Sequence, residues 1–530
     1  MKGRARGGVE TSLSIDEDCI LNFSAVTKLL NARDGAALTA LRDVLYCAVM
    51  SLTVSLVKER AMDLLQNFSR FLAIFFHAVR FDGVLRADGR HVSAEALCIL
   101  YSDALVCGLT SEVTLLHASA ADVVRAVEGF YEELSILSGR SDSIPSEYFT
   151  RCLFTYLCQR AYYCDWHFKS GAAVGIGKLI DRVPAPILLP RSLSLFKALF
   201  FILQKIPVVL SFDTPPSVAA SLLTLVRKVF GRRDADAGGE GGTMDDVTSL
   251  WAEDLLTQNS EIIRLFLREL ANTSSQVRTA SQDLLNEVSR LLSVPVSSIV
   301  GRHKDYILRI LLCMDEVAPP VLLPEGSSDF REILRTTSSL LSALEPSPTL
   351  NSAQINHVTT PSSVTPAGAT SSYLTTSVPI VVSTASLTSA SISSSLGDGS
   401  TQDSSSGNAP AKTPARSSMP PRVRFLPLLA QIGIFDAMSY LISLRPVVIE
   451  YDSHLLSLFD EATHIAESDT SALLATQQFR VQPLEQEIRV LREAILRLFT
   501  AVSACPALQG NDHQELRDKI IRVFLKVGCF

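Results

Sequence analysis

The chain has 530 residues, 47% of them hydrophobic and 19% charged, with a formal net charge of -7. That length and apolar share support a large buried core and exclude a wholly disordered chain. A modest charge without a basic block excludes electrostatic capture of nucleic acid as the main task.

Residues 1–16 hold charges and glycines but no apolar run of the secretory type, and they are expected to be disordered. From 17 to 231 helical patterns follow one another, broken at Arg86–Gly89, Ser138–Ser141 and Val183–Pro186. The ten cysteines of the chain lack paired spacing and read as reduced thiols, which places the chain in the cytosol or nucleus. Two apolar stretches invite a membrane reading. Val44–Val57 is shorter than the roughly 20 residues needed to span, and Leu193–Leu210 contains Lys197, Lys205 and Pro207. Both are read as buried helices.

Residues 232–246 are Gly- and Asp-rich and read as a flexible loop, and 247–345 as a second helical block. Its clearest unit is Asn272–Leu292, where Val277, Ala280, Leu284, Val288 and Leu291 recur at steps of three and four. Leu255, Leu256, Ile262, Ile263, Phe266, Leu267 and Leu270 form another such stripe just before it. Two helices joined by a polar turn are the pattern of a HEAT-type repeat. Residues 346–421 are Ser-, Thr-, Ala- and Pro-rich, with Asp398, Asp403, Lys412 and Arg416 as their only charges. Such a segment cannot bury enough surface to order itself and is read as a disordered insertion. Its Thr360-Pro361, Thr365-Pro366 and Thr413-Pro414 pairs suit proline-directed kinases, but the preferred reading is an unmodified spacer. Helical patterning returns over 422–530. There Leu516, Ile520, Ile521, Phe524 and Leu525 run to the last residue with no polar capping repeat, so this block is expected to be truncated at its C-terminal end.

Chemistry is sparse. The run Gly171–Lys178 approaches a phosphate-binding loop, but the first required glycine falls at Ala172 and Leu179 replaces the Ser or Thr after the lysine. It is read as small residues that let two helices approach. Cys152, Cys158, Cys164 and His167 raise zinc, yet no C-x2-C pair occurs and the spacing spreads them over different helix faces. His303 beside Lys304 and Asp305 has no nucleophile nearby and reads as a polar helix start. Tyr162, Tyr163, Trp166 and Phe168 with Arg160 and Lys169 have the composition of a base-stacking patch, and core or partner-facing aromatics are the preferred role. Arg278 is expected to bond an acidic or carbonyl group of the adjacent turn and set repeat stacking. No catalytic, cofactor-binding or metal-binding residue is assigned.

Three collinear stretches resemble the HEAT-repeat region of the transformation/transcription domain-associated protein family, the large pseudokinase scaffolds of the phosphatidylinositol 3-kinase-related kinase group. They are Phe154–Arg160 with Trp166, Lys169, Gly171 and Phe196–Phe200; the Asn272–Leu292 repeat extended through Val296 to His303–Asp305; and Ala430–Gly433 with Arg517, Lys519–Ile521, Phe524 and Lys526. In the family the second and third lie close together. The interruption between Met314 and Arg424 therefore reads as an insertion in a connection between repeats, where solenoids tolerate length.

The expected architecture is thus an all-α HEAT-type solenoid interrupted by a disordered Ser/Thr-rich insertion. The resemblance implies a nuclear, non-catalytic scaffold that docks transcription activators and acetyltransferase-complex subunits, with protein partners, no cofactor, no membrane, no small-molecule substrate and no direct nucleic-acid contact. The alternatives are a fragment of an active kinase of the same group, or an importin-type transport receptor.

Overall fold

The computed structural model describes residues 35–81, 94–111, 120–138, 144–163, 165–207, 214–231, 244–312, 423, 426–449, 453–475, 485–506 and 514–527. The chain divides into two units, Met1–Glu345 with Ser418–Phe530, and Pro346–Ser417. The second unit lies outside the described residues, as do the Thr-Pro pairs, so every described residue belongs to the first.

Among the described residues every regular element is helical, as the periodicities require. The helices are α1 (Gly35–Ser51), α2 (Ser55–Phe81), α3 (Ala94–Leu109), α4 (Ala120–Ser138), α5 (Ile144–Ala161), α6 (Trp166–Arg182), α7 (Ala185–Leu188), α8 (Ser192–Gln204), α9 (Thr214–Phe230) and α10 (Met244–Gln258). They continue with α11 (Ser260–Glu269), α12 (Ser275–Leu292), α13 (Val296–Gly301), α14 (Lys304–Leu311), α15 (Leu428–Ser443), α16 (Ser453–Glu467), α17 (Thr470–Ala475), α18 (Glu485–Ser503) and α19 (Gln514–Val527).

The best-patterned repeat shows how the local rules act. Before α12, the Ser274 backbone N–H donates to Asn272 Oδ1 at 2.8 Å, an Asx turn that starts the helix without a side-chain cap. At its far end Ser293 takes φ 55° and stops it. Val277, Ala280, Leu284 and Val288 are buried and Leu291 packs against the core.

The helices form two layers. In the first, α1, α3, α5, α8, α11 and α14 touch in succession; in the second, α2, α4, α6, α9, α12, α15 and α18 do. The pairs α1–α2, α3–α4, α5–α6, α8–α9, α11–α12 and α14–α15 also touch across the layers, the arrangement of stacked helix pairs. The apolar run Ala185–Gln204 is long enough to cross a membrane by length and composition. Within the protein Phe196, Leu199, Phe200 and Leu203 are buried, and α8 packs against α5, α9 and α11, which makes it a core helix.

On either side of the long interruption, α15 touches α14 and also continues the second layer after α12. The chain leaves and re-enters between two helices in contact. Linear sequence shows where helical patterning stops and restarts, but not which earlier helix the restarted one rests on.

Candidate functional site

Along the second layer, charged side chains tie each helix to the next. Lys58 of α2 meets Asp122 of α4 at 2.7 Å, and Glu128 of α4 meets Arg182 of α6 at 3.0 Å. Lys228 of α9 donates to the Asp181 and Val183 carbonyls at 2.8 and 2.9 Å, closing the C-terminal end of α6. Arg227 of α9 meets Glu287 of α12 at 2.7 Å, and Arg290 joins the same carboxylate at 2.8 Å. These two arginines, Arg290 foremost, hold the Glu287 carboxyl down to about 2.

The last two ties share one carboxylate. Arg278 of α12 donates to Asp436 Oδ2 of α15 at 2.8 Å, and Arg497 of α18 donates to Asp436 Oδ1 at 2.8 Å. Arg278 also donates to the Asn272 and Thr273 carbonyls of its own turn, at 2.9 and 3.3 Å. The expected partner in the adjacent turn is met by these carbonyls, whereas Asp436 lies on a distant helix. The side chain is 8% exposed, so burial pushes its pKa down while Asp436 opposes that shift. The other arginines of the series are much more open, Arg182 at 62% and Arg497 at 50%, and exposed pairs of that kind add little stability.

Asp436 was not singled out in the sequence, although a signal exists. It is the sole charge of Leu428–Ser443, set between the buried residues Phe435 and Ala437. A lone charge on an otherwise apolar helix requires a buried partner. Close approach is secured by Gly433. A Cβ there would lie 2.8 Å from the Asn272 carbonyl oxygen and closer still to that of Ala271.

Next to this junction is Glu269, 0% exposed at the end of α11. Its Oε2 accepts from Asn272 Nδ2 at 2.5 Å, and Oε1 has no hydrogen-bond partner. Burial pushes its pKa up to about 7, against the opposing Asn272 hydrogen bond and Arg268 charge.

The other candidate groups serve packing. Gly171 faces the Leu109 carbonyl and Gly175 faces Leu157, so the glycine run of α6 admits neighbouring helices. Cys152 and Cys158 are buried, and burial pushes the Cys158 thiol up to about 12. The His167 and Phe168 rings lie tilted to each other with centroids 4.1 Å apart, while Cys164 lies outside the described residues. Among the described residues no group of His, Cys, Asp and Glu is arranged to hold a metal ion. His303 precedes α14. The Arg160 guanidinium lies 5.0 and 5.1 Å from the Tyr163 and Phe168 rings, Tyr162 packs on Phe201, and Lys169 is buried and donates to the Tyr163 carbonyl. These groups join α5, α6 and α8. An open groove beside α17 and α18 is lined by Ile488, Arg489, Arg492, Glu493 and Leu496.

Stacked antiparallel helix pairs with polar ties from layer member to layer member define a helical-repeat solenoid of the HEAT type. The chain matches the Tra1 HEAT repeat ring region over residues 14–313 and 410–527, well over half its length, and belongs to that family. It is 29% identical over 104 residues to the SAGA complex/NuA4 acetyltransferase complex subunit Tra1 of Schizosaccharomyces pombe (strain 972 / ATCC 24843). That match covers 20% of this chain and 3% of the relative's length. The resemblance read from the sequence is thereby shown, and the break between the matched stretches falls in the α14–α15 connection.

Proposed function

We propose that the chain serves as a non-catalytic protein-interaction scaffold in the nucleus, within an assembly of the histone acetyltransferase type that regulates transcription on chromatin. The family match over most of the chain is the observation that supports this reading, with the relative named as a subunit of SAGA and NuA4 beside it. Its partners are acetyltransferase-complex subunits and transcription activators, bound over an extended helical surface where a few aromatic or arginine anchors dominate affinity. Residues 346–421 act as a disordered spacer leaving the α14–α15 connection.

The test is to tag the endogenous protein, purify it from nuclear extract under mild salt, and identify the co-purifying chains by mass spectrometry. Acetyltransferase-complex subunits are expected in stoichiometric yield. A small GTPase with cargo would instead indicate a transport receptor, and kinase activity that co-purifies on the same polypeptide would indicate an active kinase.

A further inference from the structure

Two arginines beside the groove between α11 and α14 are matched within the chain. Arg264 of α11 donates to Glu261 at 2.8 Å, and both terminal nitrogens of Arg302 meet Glu253. Arg268, one turn beyond Arg264, differs. It is partly buried, and its Nε is closed to solvent without a hydrogen-bond partner. Among the described residues no carboxylate pairs with it, and its neighbour Glu269 is engaged by Asn272 instead. A guanidinium withdrawn from water without an acceptor costs stability, and an acceptor from outside the chain accounts for its retention.

Other groups converge on the same place. α11 and α14 touch in the first layer, and the Arg264 guanidinium lies 5.6 Å from the centre of the Tyr306 ring. Burial pushes the Tyr306 pKa up, and the charges acting on its hydroxyl are Arg268 first, then Glu261, Arg264 and Glu269. Burial pushes the His303 pKa down, with Arg264 and Arg302 adding to the shift and Glu261 opposing it. The His303 ring is therefore neutral at pH 7, with one N–H to donate. Among the described residues neither that ring nor the Tyr306 hydroxyl makes a hydrogen bond.

Charge selects the ligand. Glu261 offsets Arg264, Glu253 offsets Arg302 and Asp305 offsets Lys304, which leaves the single positive charge of Arg268. A carboxylate carries the matching charge and presents two coplanar oxygens to a guanidinium fork. A phosphate dianion would bring a second negative charge beside Glu261. We propose that the α11–α14 groove docks an aspartate or glutamate of a partner protein, its carboxylate held by Arg268 with Tyr306 and His303 donating beside it. The inference rests on the scaffold reading and names the chemistry of one contact. Arginine and tyrosine are the residues that dominate such contacts, and Arg264 over the Tyr306 ring holds it in advance, so less freedom is lost on binding.

The test puts an amine where the guanidinium stands. Tagged Arg268→Lys protein is purified from nuclear extract with its partners and treated with a carbodiimide, which condenses an amine with a carboxylate touching it. An isopeptide bond from position 268 to an aspartate or glutamate of a co-purifying chain is the expected product by mass spectrometry. Links only to carboxylates of the same chain, or no link while the partners remain bound, overturn the proposal. Absence of acetyltransferase partners from the parent protein too would sink the scaffold reading, and a second arm is independent of it. The isolated full chain is titrated with fluorescein-labelled hexaglutamate. Arg268→Gln should weaken binding at least about fivefold and Tyr306→Phe about twofold, with the helical circular dichroism unchanged. Arg182→Gln, at an exposed arginine elsewhere, should change it less than about twofold. No binding by the parent, equal losses from the two arginine substitutions, or displacement by phosphate more readily than by acetate at equal ionic strength overturns the proposal.

Discussion

At the residue scale, Asp436 is the group on which two helices depend. Replacing it with alanine leaves the buried Arg278 guanidinium without its carboxylate, and breaking a buried pair from one side costs about 3–5 kcal/mol. Arg497→Ala removes a half-exposed partner and should cost less than about 1 kcal/mol. Urea unfolding of the two variants checks the order; equal losses would mean that the Arg278 pair is not the dominant one. Glu269 gives a second prediction, in pH. Its folded pKa of about 7 lies above its ordinary value of 4.5, so the folded state binds more protons than the unfolded state between those values. Its contribution is therefore fully present below the lower value and is lost as pH rises through about 7. Glu269→Gln should flatten this part of the stability profile and raise the unfolding midpoint at pH 8 relative to the parent, by up to about 3 kcal/mol in equivalent free energy. A profile unchanged by the substitution would show that Glu269 titrates normally.

At the scale of elements, the helices and their buried stripes were legible because each is written in local spacing. Val277, Ala280, Leu284 and Val288 show it, and all four are buried. The glycines of α6 were read correctly as packing residues for the same reason. Pairing across distance was not legible. Arg278 announced a need for a partner within its turn, but Asp436 lies 158 positions away, and no local spacing joins them. Gly433 was noticed only as part of a resemblance, whereas its role is to let α15 rest on the α11–α12 turn. Gly433→Ala should therefore cost about 1–3 kcal/mol through overpacking, even though alanine is the better helix former. A calorimetric midpoint at or above that of the parent would show that the turn moves aside freely.

At the scale of the whole molecule, no catalytic, metal or cofactor residue was assigned from sequence, and the family match places the chain in a HEAT repeat ring region. The described surface offers ties between helices, with no convergent set of metal-ligating groups. If residues 346–421 are a spacer, replacing them with a short Gly/Ser linker should alter the unfolding free energy of the helical unit by no more than about 1 kcal/mol, because loop-closure entropy depends only weakly on length. A larger loss would show that the segment contributes to the unit's stability.

The placement of the interruption also has a consequence in time. During synthesis α12 emerges well before α15, and the ribosome must add 158 residues after Arg278 before Asp436 exists. At about 5–20 residues per second that is a wait of roughly 8–30 s. Throughout it the second layer ends at α12, with a cation and an open helical face awaiting their counterparts. A nascent chain stalled in that interval is the form for which chaperones and mistaken partners compete.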